Sequence, residues 1–265
     1  MTGLESGLVA GLAAGGGSGG RSGRNRVVAT ASIEAVAGAG GVTRLPVLAS
    51  QVPLVLRRTP QAVYLVGGAA GPLGGDSLTL RIAVGAGAFL RVRTAAASIA
   101  LPGLDGLESV LRVSATVGEG GRLEYLPEPT VVTAGARHAT LVSVTLAAGA
   151  SLLLRDEVLL GRHGESGGTA RSVLQVSYAG LPLLRHSLSV SGTDQGSLGP
   201  AVLAGHRAVG TLLSVNESDV AERPARATPE VAVMPLAGPG TLVTALAHDA
   251  VTLRRRLDGT KAAAP

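Results

Sequence analysis

The sequence predicts an all-β protein assembled from stacked strand–turn–strand units, with one or two short helices near its C-terminus. Three observations predict it. A phrase of period-two apolar alternation, a glycine-bearing hinge and renewed alternation occurs three times. Its hinges begin at Gly85, Gly118 and Gly149, 33 and 31 residues apart, the near-constant period of units that bury a shared core. Helical segments that would flank a parallel sheet are missing almost everywhere along the chain.

Taken in order, residues 1–26 end in AAGGGSGGRSGRNR, a low-complexity stretch that predicts a flexible tail. Its dinucleotide-type (Gly15, Gly17, Gly20) and elbow-type (Gly16, Ser18, Gly20) matches neither follow a strand nor open a helix, so they reflect composition. A single β domain is expected over 27–258. Val27–Val36 and Val42–Leu48 read as strands joined by a turn at Gly38–Gly41. Pro53 confines the segment through Arg58 to a sheet edge or a strand start. Ala62–Val66 then runs into a loop of five glycines and a proline that ends on Asp76.

In the first unit, Leu78, Leu80, Ile82 and Val84 alternate with Thr79, Arg81 and Ala83. Glycine adopts the positive φ of a tight bend, and Gly85 is assigned that conformation, so Gly85→Val is expected to damage folding. Leu111–Val117 and Val142–Leu146 repeat the phrase, with Ala95–Gly106 and Pro127–Pro129 as connections. Val173–Tyr178 and Leu184–Val190 form a hairpin about Gly180, and strands follow at Ala208–Val215, Glu230–Met234 and Leu242–Leu246. Ser218–Arg226 is expected to be a short helical connection. Asp249 N-caps a helix with Ala250, Leu253 and Leu257 on one face, and residues 259–265 form a disordered tail.

Composition narrows the chemistry. The absence of cysteine excludes disulfides, thiolate metal sites and a cysteine nucleophile, and fits a cytoplasmic location. No apolar run reaches the length of a membrane span, and residues 1–14 lack the basic start of a signal peptide. The net charge of +5 favours acidic partners, but the arginines are scattered and only Tyr64, Phe89, Tyr125 and Tyr178 could stack on bases, so no nucleic acid is expected. Arg254-Arg255-Arg256 reads as a solvated helix face near a C-terminus.

The densest chemistry lies in Arg155–Gly168. Gly164-Glu165-Ser166-Gly167-Gly168 matches a nucleophile elbow, so a serine hydrolase with Ser166, Asp194 and His206 or His248 is one alternative. Residues 170–178 nevertheless read as a strand where the elbow needs a helix. His163, with Glu165, Asp156 and Glu157 nearby, is either a transient site for a borderline divalent ion or a solvated turn. Asp76 is either a turn carboxylate that accepts backbone N–H groups or a carboxylate presented to a channel. His186 shares its phase with Leu184, Leu188 and Val190 and reads as a hydrogen-bonded core residue. A glycan-binding β-solenoid is a further alternative, with few aromatics to support it.

An ordered set of motifs resembles the UreD (UreH) family of urease accessory proteins. It comprises Pro53–Arg58, Val63-Tyr64-Leu65, Gly71-Pro72-Leu73-Gly74-Gly75-Asp76, the strand–Gly-Ala–strand phrase ending at Thr94, Leu123–Pro129, Gly135-Ala136-Arg137, Leu146–Ala150 and Gly161-Arg162-His163-Gly164-Glu165. Ala70-Gly71-Pro72 stands where the family has Pro-Gly-Gly, and Thr94–Ile99 where it has Thr-Gln-x-Ala-Thr-Lys. The resemblance implies stacked helicoidal β-sheets, β-solenoid-like, and a scaffold and metallochaperone rather than an enzyme. It implies binding of a helical UreF-like partner, through it a UreG-like GTPase, and docking on urease apoprotein, with a homodimer within the complex. No cofactor is implied, only transient nickel, and the candidate lining of its route is Asp76, Glu165 and His163, with Arg162 beside them. Leu242, Leu246, Leu253 and Leu257 are the expected partner-binding surface.

Overall fold

The computed structural model describes residues 26–217 and 224–259. The expected N-terminal tail up to residue 25, positions 218–223 of the helical connection expected over Ser218–Arg226, and the tail from 260 lie outside the described residues; Arg226, the end of that connection, stands in a strand instead. Strands β1 (Val28–Ala37), β2 (Thr43–Ala49), β3 (Leu54–Arg58) and β4 (Val63–Gly67) precede the repeat. The repeat comprises β5 (Ser77–Val84), β6 (Phe89–Thr94), β7 (Ser98–Ala100), β8 (Ser109–Val117), β9 (Arg122–Leu126), β10 (Thr130–Val132), β11 (Arg137–Leu146) and β12 (Ser151–Leu160). After it come the hairpin β13 (Thr169–Tyr178) and β14 (Leu181–Ser191), helix α1 (Gln195–Leu198), β15 (Ala208–Val215), β16 (Arg226–Ala227), β17 (Val231–Pro235), β18 (Gly240–Ala247) and helix α2 (Ala250–Asp258).

The chain coils. The first sheet runs β14-β13-β11-β8-β5-β1-β2, parallel from β13 to β1 and antiparallel at both edges. The second runs β16-β17-β18-β15-β12-β9-β6-β4-β3, and β10 joins β7 to the end of β12 in a short third strip. Each turn of the coil therefore lays one strand in each sheet, the β-solenoid-like stacking expected from the repeat. β3 takes the sheet edge that Pro53 demands, and β2, which contains Pro46, takes the other sheet's edge.

Alternation decides which side chains meet inside. Leu80, Ile82, Val113, Ala115, Val142 and Val144 of the first sheet face Leu90, Val92, Leu123, Tyr125, Leu152 and Leu154 of the second. Similar short aliphatic side chains recur at successive levels, so each strand adds to the core begun by its neighbour. β7 escaped the sequence reading because three residues are too few to show a period. β12 continues through Arg155-Asp156-Glu157, where charged residues mask a strand that is buried along most of its length.

The corners correct the hinge assignment. Gly85–Ala88, Gly118–Gly121 and Ala147–Ala150 each close with an N–H donated from the fourth residue to the first carbonyl, at 3.1, 2.9 and 3.1 Å. Positive φ falls on the third residue, Gly87, Gly120 or Gly149, at 64°, 62° and 70°. Gly85 is not among the positive-φ residues. Ladder register aligns Val84, Val117 and Leu146, so the third corner begins at Ala147, 29 residues after Gly118. Gly85 and Gly118 serve stacking, since a Cβ on Gly118 would lie 2.7 Å from the Ala86 nitrogen.

Two histidines behave unlike ordinary surface residues. His138 is buried, with Nδ1 2.9 Å from the Ser109 hydroxyl and Nε2 3.4 Å from that of Thr140. Burial pulls its pKa down to about 4, against a smaller opposing effect of Glu108. Between pH 6.5 and 4 the unfolded chain therefore binds a proton that the folded site refuses, and stability falls as pH falls through that window. The expected contribution is about 3 kcal/mol between pH 7 and 4. Urea unfolding at both pH values tests this: His138→Gln should remove that share of the pH dependence, and an unchanged slope would contradict it. His186 departs from expectation. It is only partly buried, its Nδ1 is enclosed without a hydrogen-bond partner, and burial lowers its pKa against the charge of Asp156.

Candidate functional site

Asp76 and Glu165 end equivalent turns at the corner opposite the Gly118 stack, where the chain enters β5 and β13. In the turn Leu73–Asp76, the Asp76 N–H donates to the Leu73 carbonyl at 2.9 Å and Gly75 holds φ 94°. The carboxylate then folds back: Oδ2 accepts from Leu73 N–H at 2.9 Å, and Oδ1 accepts from Val27 N–H at 3.1 Å. Asp76 is 5% exposed and fastens the start of β1 to the start of β5. Gly74 beside it is obligatory, because its Cβ would lie 2.5 Å from the Gly103 nitrogen.

Glu165 repeats this arrangement. Its N–H donates to the Arg162 carbonyl at 3.1 Å, with Gly164 at φ 71°. Oε2 accepts from the Arg162 backbone N–H and Nε, both at 2.9 Å, and Oε1 accepts from Arg162 Nη2 at 3.1 Å and Ala134 N–H at 3.2 Å. The Arg162 guanidinium, and then its backbone N–H, hold the Glu165 carboxyl down at about pKa 2. Arg207 fastens the same loop from below through the carbonyls of Leu160 and Gly161, at 2.9 and 2.8 Å.

Asp76 and Glu165 thus share one edge of the coil without touching. Their strands are separated by β8 and β11, which puts them about 14 Å apart at the usual strand spacing. His163 is exposed in the second position of its turn, beside Arg162. Among the described residues no group of three or more His, Cys, Asp or Glu is arranged to hold a metal ion. Four donors occupy the Glu165 carboxylate, so a cation there must displace one, whereas Asp76 accepts two and is shielded by its burial.

The hydrolase alternative fails on backbone grounds. Strand β13, not a helix, follows Gly168, and Ser166 is exposed on the turn. Asp194 is occupied as the N-cap of α1, accepting from Ser197 N–H at 2.7 Å and its hydroxyl at 2.8 Å.

The leucines expected to form a partner surface lie inside instead. Leu253 and Leu257 are 1% and 0% exposed, packed with Leu153, Leu212 and Val243, while Leu242 is buried in the main core and Leu246 is half-buried against another cluster. The cause is Gly210 on β15: a Cβ there would stand 3.0 Å from Leu257 and 3.1 Å from Leu253, so α2 sits directly on the sheet backbone. The arginines of α2 also depart from the solvated-face reading. Arg254 bridges Glu128 at 2.9 Å and the buried Glu157 at 2.6 Å, Arg256 donates to the Leu246 carbonyl, and only Arg255 is exposed. Beneath them Arg155 lies 3.6 Å from Glu157 and 3.8 Å from Asp258. The sequence signal for this network was the alternation itself, which puts Arg155 and Glu157 on one face of β12 and Asp156 on the other.

Comparisons with known proteins agree with the motif set. A family model described as UreD urease accessory protein matches residues 28–264. A urease accessory protein UreD from Frankia alni is 45% identical over 275 residues, covering 89% of this chain and 92% of that protein. Urease accessory protein UreD 3 from Streptomyces griseus subsp. griseus is 48% identical over 243 residues, covering 88% and 95%. One from Parafrankia sp. is 44% identical over 261 residues, covering 89% and 88%.

Proposed function

The chain belongs to the UreD urease accessory protein family, and from that premise we propose that it is a non-catalytic cytoplasmic scaffold for nickel insertion into urease. In this reading it assembles with UreF- and UreG-type partners and docks on urease apoprotein. The family match across the ordered coil carries the proposal. Physical support comes from the corners, where backbone hydrogen bonds and stacked glycines tie each rung to the next and make a stiff platform. No helix among the described residues is long and apolar enough to cross a membrane.

Nickel is cargo here. Asp76 and Glu165, both accepting N–H bonds, would lend lone pairs to a passing divalent ion, with Arg162 and His163 beside Glu165. The Arg162 guanidinium and then its backbone N–H hold the Glu165 carboxyl down, so it stays ready to accept a cation at neutral pH. Co-expression with the partners and urease tests the proposal. Asp76→Asn and Glu165→Gln should leave the complex assembled and lower urease nickel content severalfold. Full nickel loading in both variants removes these carboxylates from the route, and failure of the wild-type chain to associate with any partner removes the scaffold itself.

A further inference from the structure

We propose that the uncovered half of the second sheet is a docking face for an acidic protein surface, held by Arg57, Arg93, Arg91 and Arg122 with Tyr64 and Phe89. The proposal rests on the scaffold reading and specifies one of its contact surfaces. Helix α2 packs over β15 and β18, so the outward side chains there are apolar and buried. On the β3–β9 half, the inward residues Leu54, Leu56, Val63, Leu65, Leu90, Val92, Leu123 and Tyr125 fill the core, and their neighbours point outward. Among the described residues no helix or strand packs extensively across those outward side chains.

What points outward is mainly basic and aromatic, with Val55 and Val66 among these side chains and Glu124 buried beneath Arg91 and Arg122. Register lines up Arg57, Tyr64 and Arg93 across β3, β4 and β6, and Phe89 with Arg122 across β6 and β9. Phe89 is 41% exposed, with the guanidinium carbons of Arg91 and Arg122 at 5.4 and 5.5 Å from its ring centre. Arg91 and Arg122 share the buried Glu124, and Arg122 also meets Glu217 at 2.8 Å. These two are thereby pre-ordered beside the ring. Arg57 donates only to its own neighbour's carbonyl, and Arg93 has no carboxylate partner among the described residues. A groove of about 270 Å³, lined by Val42, Leu45, Arg58, Pro60, Phe89 and Arg91, adjoins the patch.

Charge selects the occupant. Arginine, tyrosine and phenylalanine are the residues enriched at interface centres, and two uncompensated guanidinium groups call for carboxylates. The chain's own residues 1–25 carry Glu5 against Arg21 and Arg24, the wrong sign, and a second copy docked through this face about a two-fold axis would set arginine against arginine. Arg57 and Arg93 lie either side of Tyr64, two strand spacings or about 10 Å apart. Carboxylates two turns apart on an acidic helix, with a rise of about 10 Å between them, would span that distance.

The test is co-purification of the full chain with UreF-type, UreG-type and urease partners, using two charge reversals of equal size. Arg57→Glu/Arg93→Glu should weaken association at least about tenfold with an unchanged melting temperature. Arg81→Glu/Arg112→Glu, on the exposed outer face of the first sheet, should leave it intact. If reversal disturbs folding, Arg57→Gln/Arg93→Gln carries the same prediction at smaller size. Wild-type association untouched by the first pair, or weakened equally by both pairs, overturns this proposal alone. No association by the wild-type chain removes the scaffold reading and this proposal together.

Discussion

Gly118→Ala is expected to cost about 3–5 kcal/mol, the upper end of what one substitution does. The new Cβ would stand 2.7 Å from the Ala86 nitrogen, 3.0 Å from the Gly85 carbonyl carbon and 3.2 Å from the Ala86 Cα. All three atoms are backbone in the preceding rung, so no side chain can swing away. Relief requires the rungs to part, and parting them breaks the hydrogen bond from Gly118 N–H to the Val84 carbonyl at 2.7 Å. Gly120→Ala provides the contrast within the same turn. Gly120 holds φ 62° with open space around it, so alanine there costs only the left-handed penalty, about 1–2 kcal/mol. Gly85→Val falls between them, because its Cβ meets the Ala35 carbonyl at 3.3 Å and its φ carries no penalty. Urea unfolding of the three variants ranks them. A Gly118→Ala cost no larger than that of Gly120→Ala would show that the corner yields more easily than its contacts imply.

Glu157→Ala should be nearly as damaging, and for an electrostatic reason. Its side chain is 0% exposed and receives Arg254 Nη2 at 2.6 Å, with Arg155 Nε at 3.6 Å. Truncation would leave Arg155 buried beneath α2 with Asp258 at 3.8 Å and Glu128 as its remaining counter-charges. Breaking a buried pair on one side strands the other charge, at about 3–5 kcal/mol. The loss should centre on α2, because Arg254 is the strut between the helix and the sheet. Hydrogen exchange at Leu253–Leu257 should accelerate far more than exchange in β5 or β8. Glu157→Gln keeps the shape and separates the contribution of charge from that of packing. Uniform acceleration across the protein would mean that α2 is not a separate unit held by this network.

Strand positions were legible because burial imposes a period of two on contiguous residues. Leu78 to Val84 declare a strand wherever they occur. The hairpin at Val173–Val190, the Asp249 cap and the shared face of Leu253 and Leu257 were legible for the same local reason. Which glycine of Gly85-Ala86-Gly87 bends left was not, since either fits the letters and only the turn's hydrogen bond chooses Gly87. Nor did the apolar face of α2 say whether it meets this chain or another. Gly210 settled that by letting the helix down onto β15, although the two are some forty residues apart in sequence.

The amino-acid order by itself determined the strands, the glycine-bearing corners, their recurrence and the motif set by which the family is known. All of these depend on residues a few positions apart, where alternation and backbone stereochemistry act. Tertiary structure decided what each charged side chain is bound to. Asp76 meets Val27 across 49 residues, Glu165 meets Ala134 across 31, and Arg254 meets Glu128 across 126. Such partners are brought together by the stacking of whole turns of the coil, and no local pattern records them.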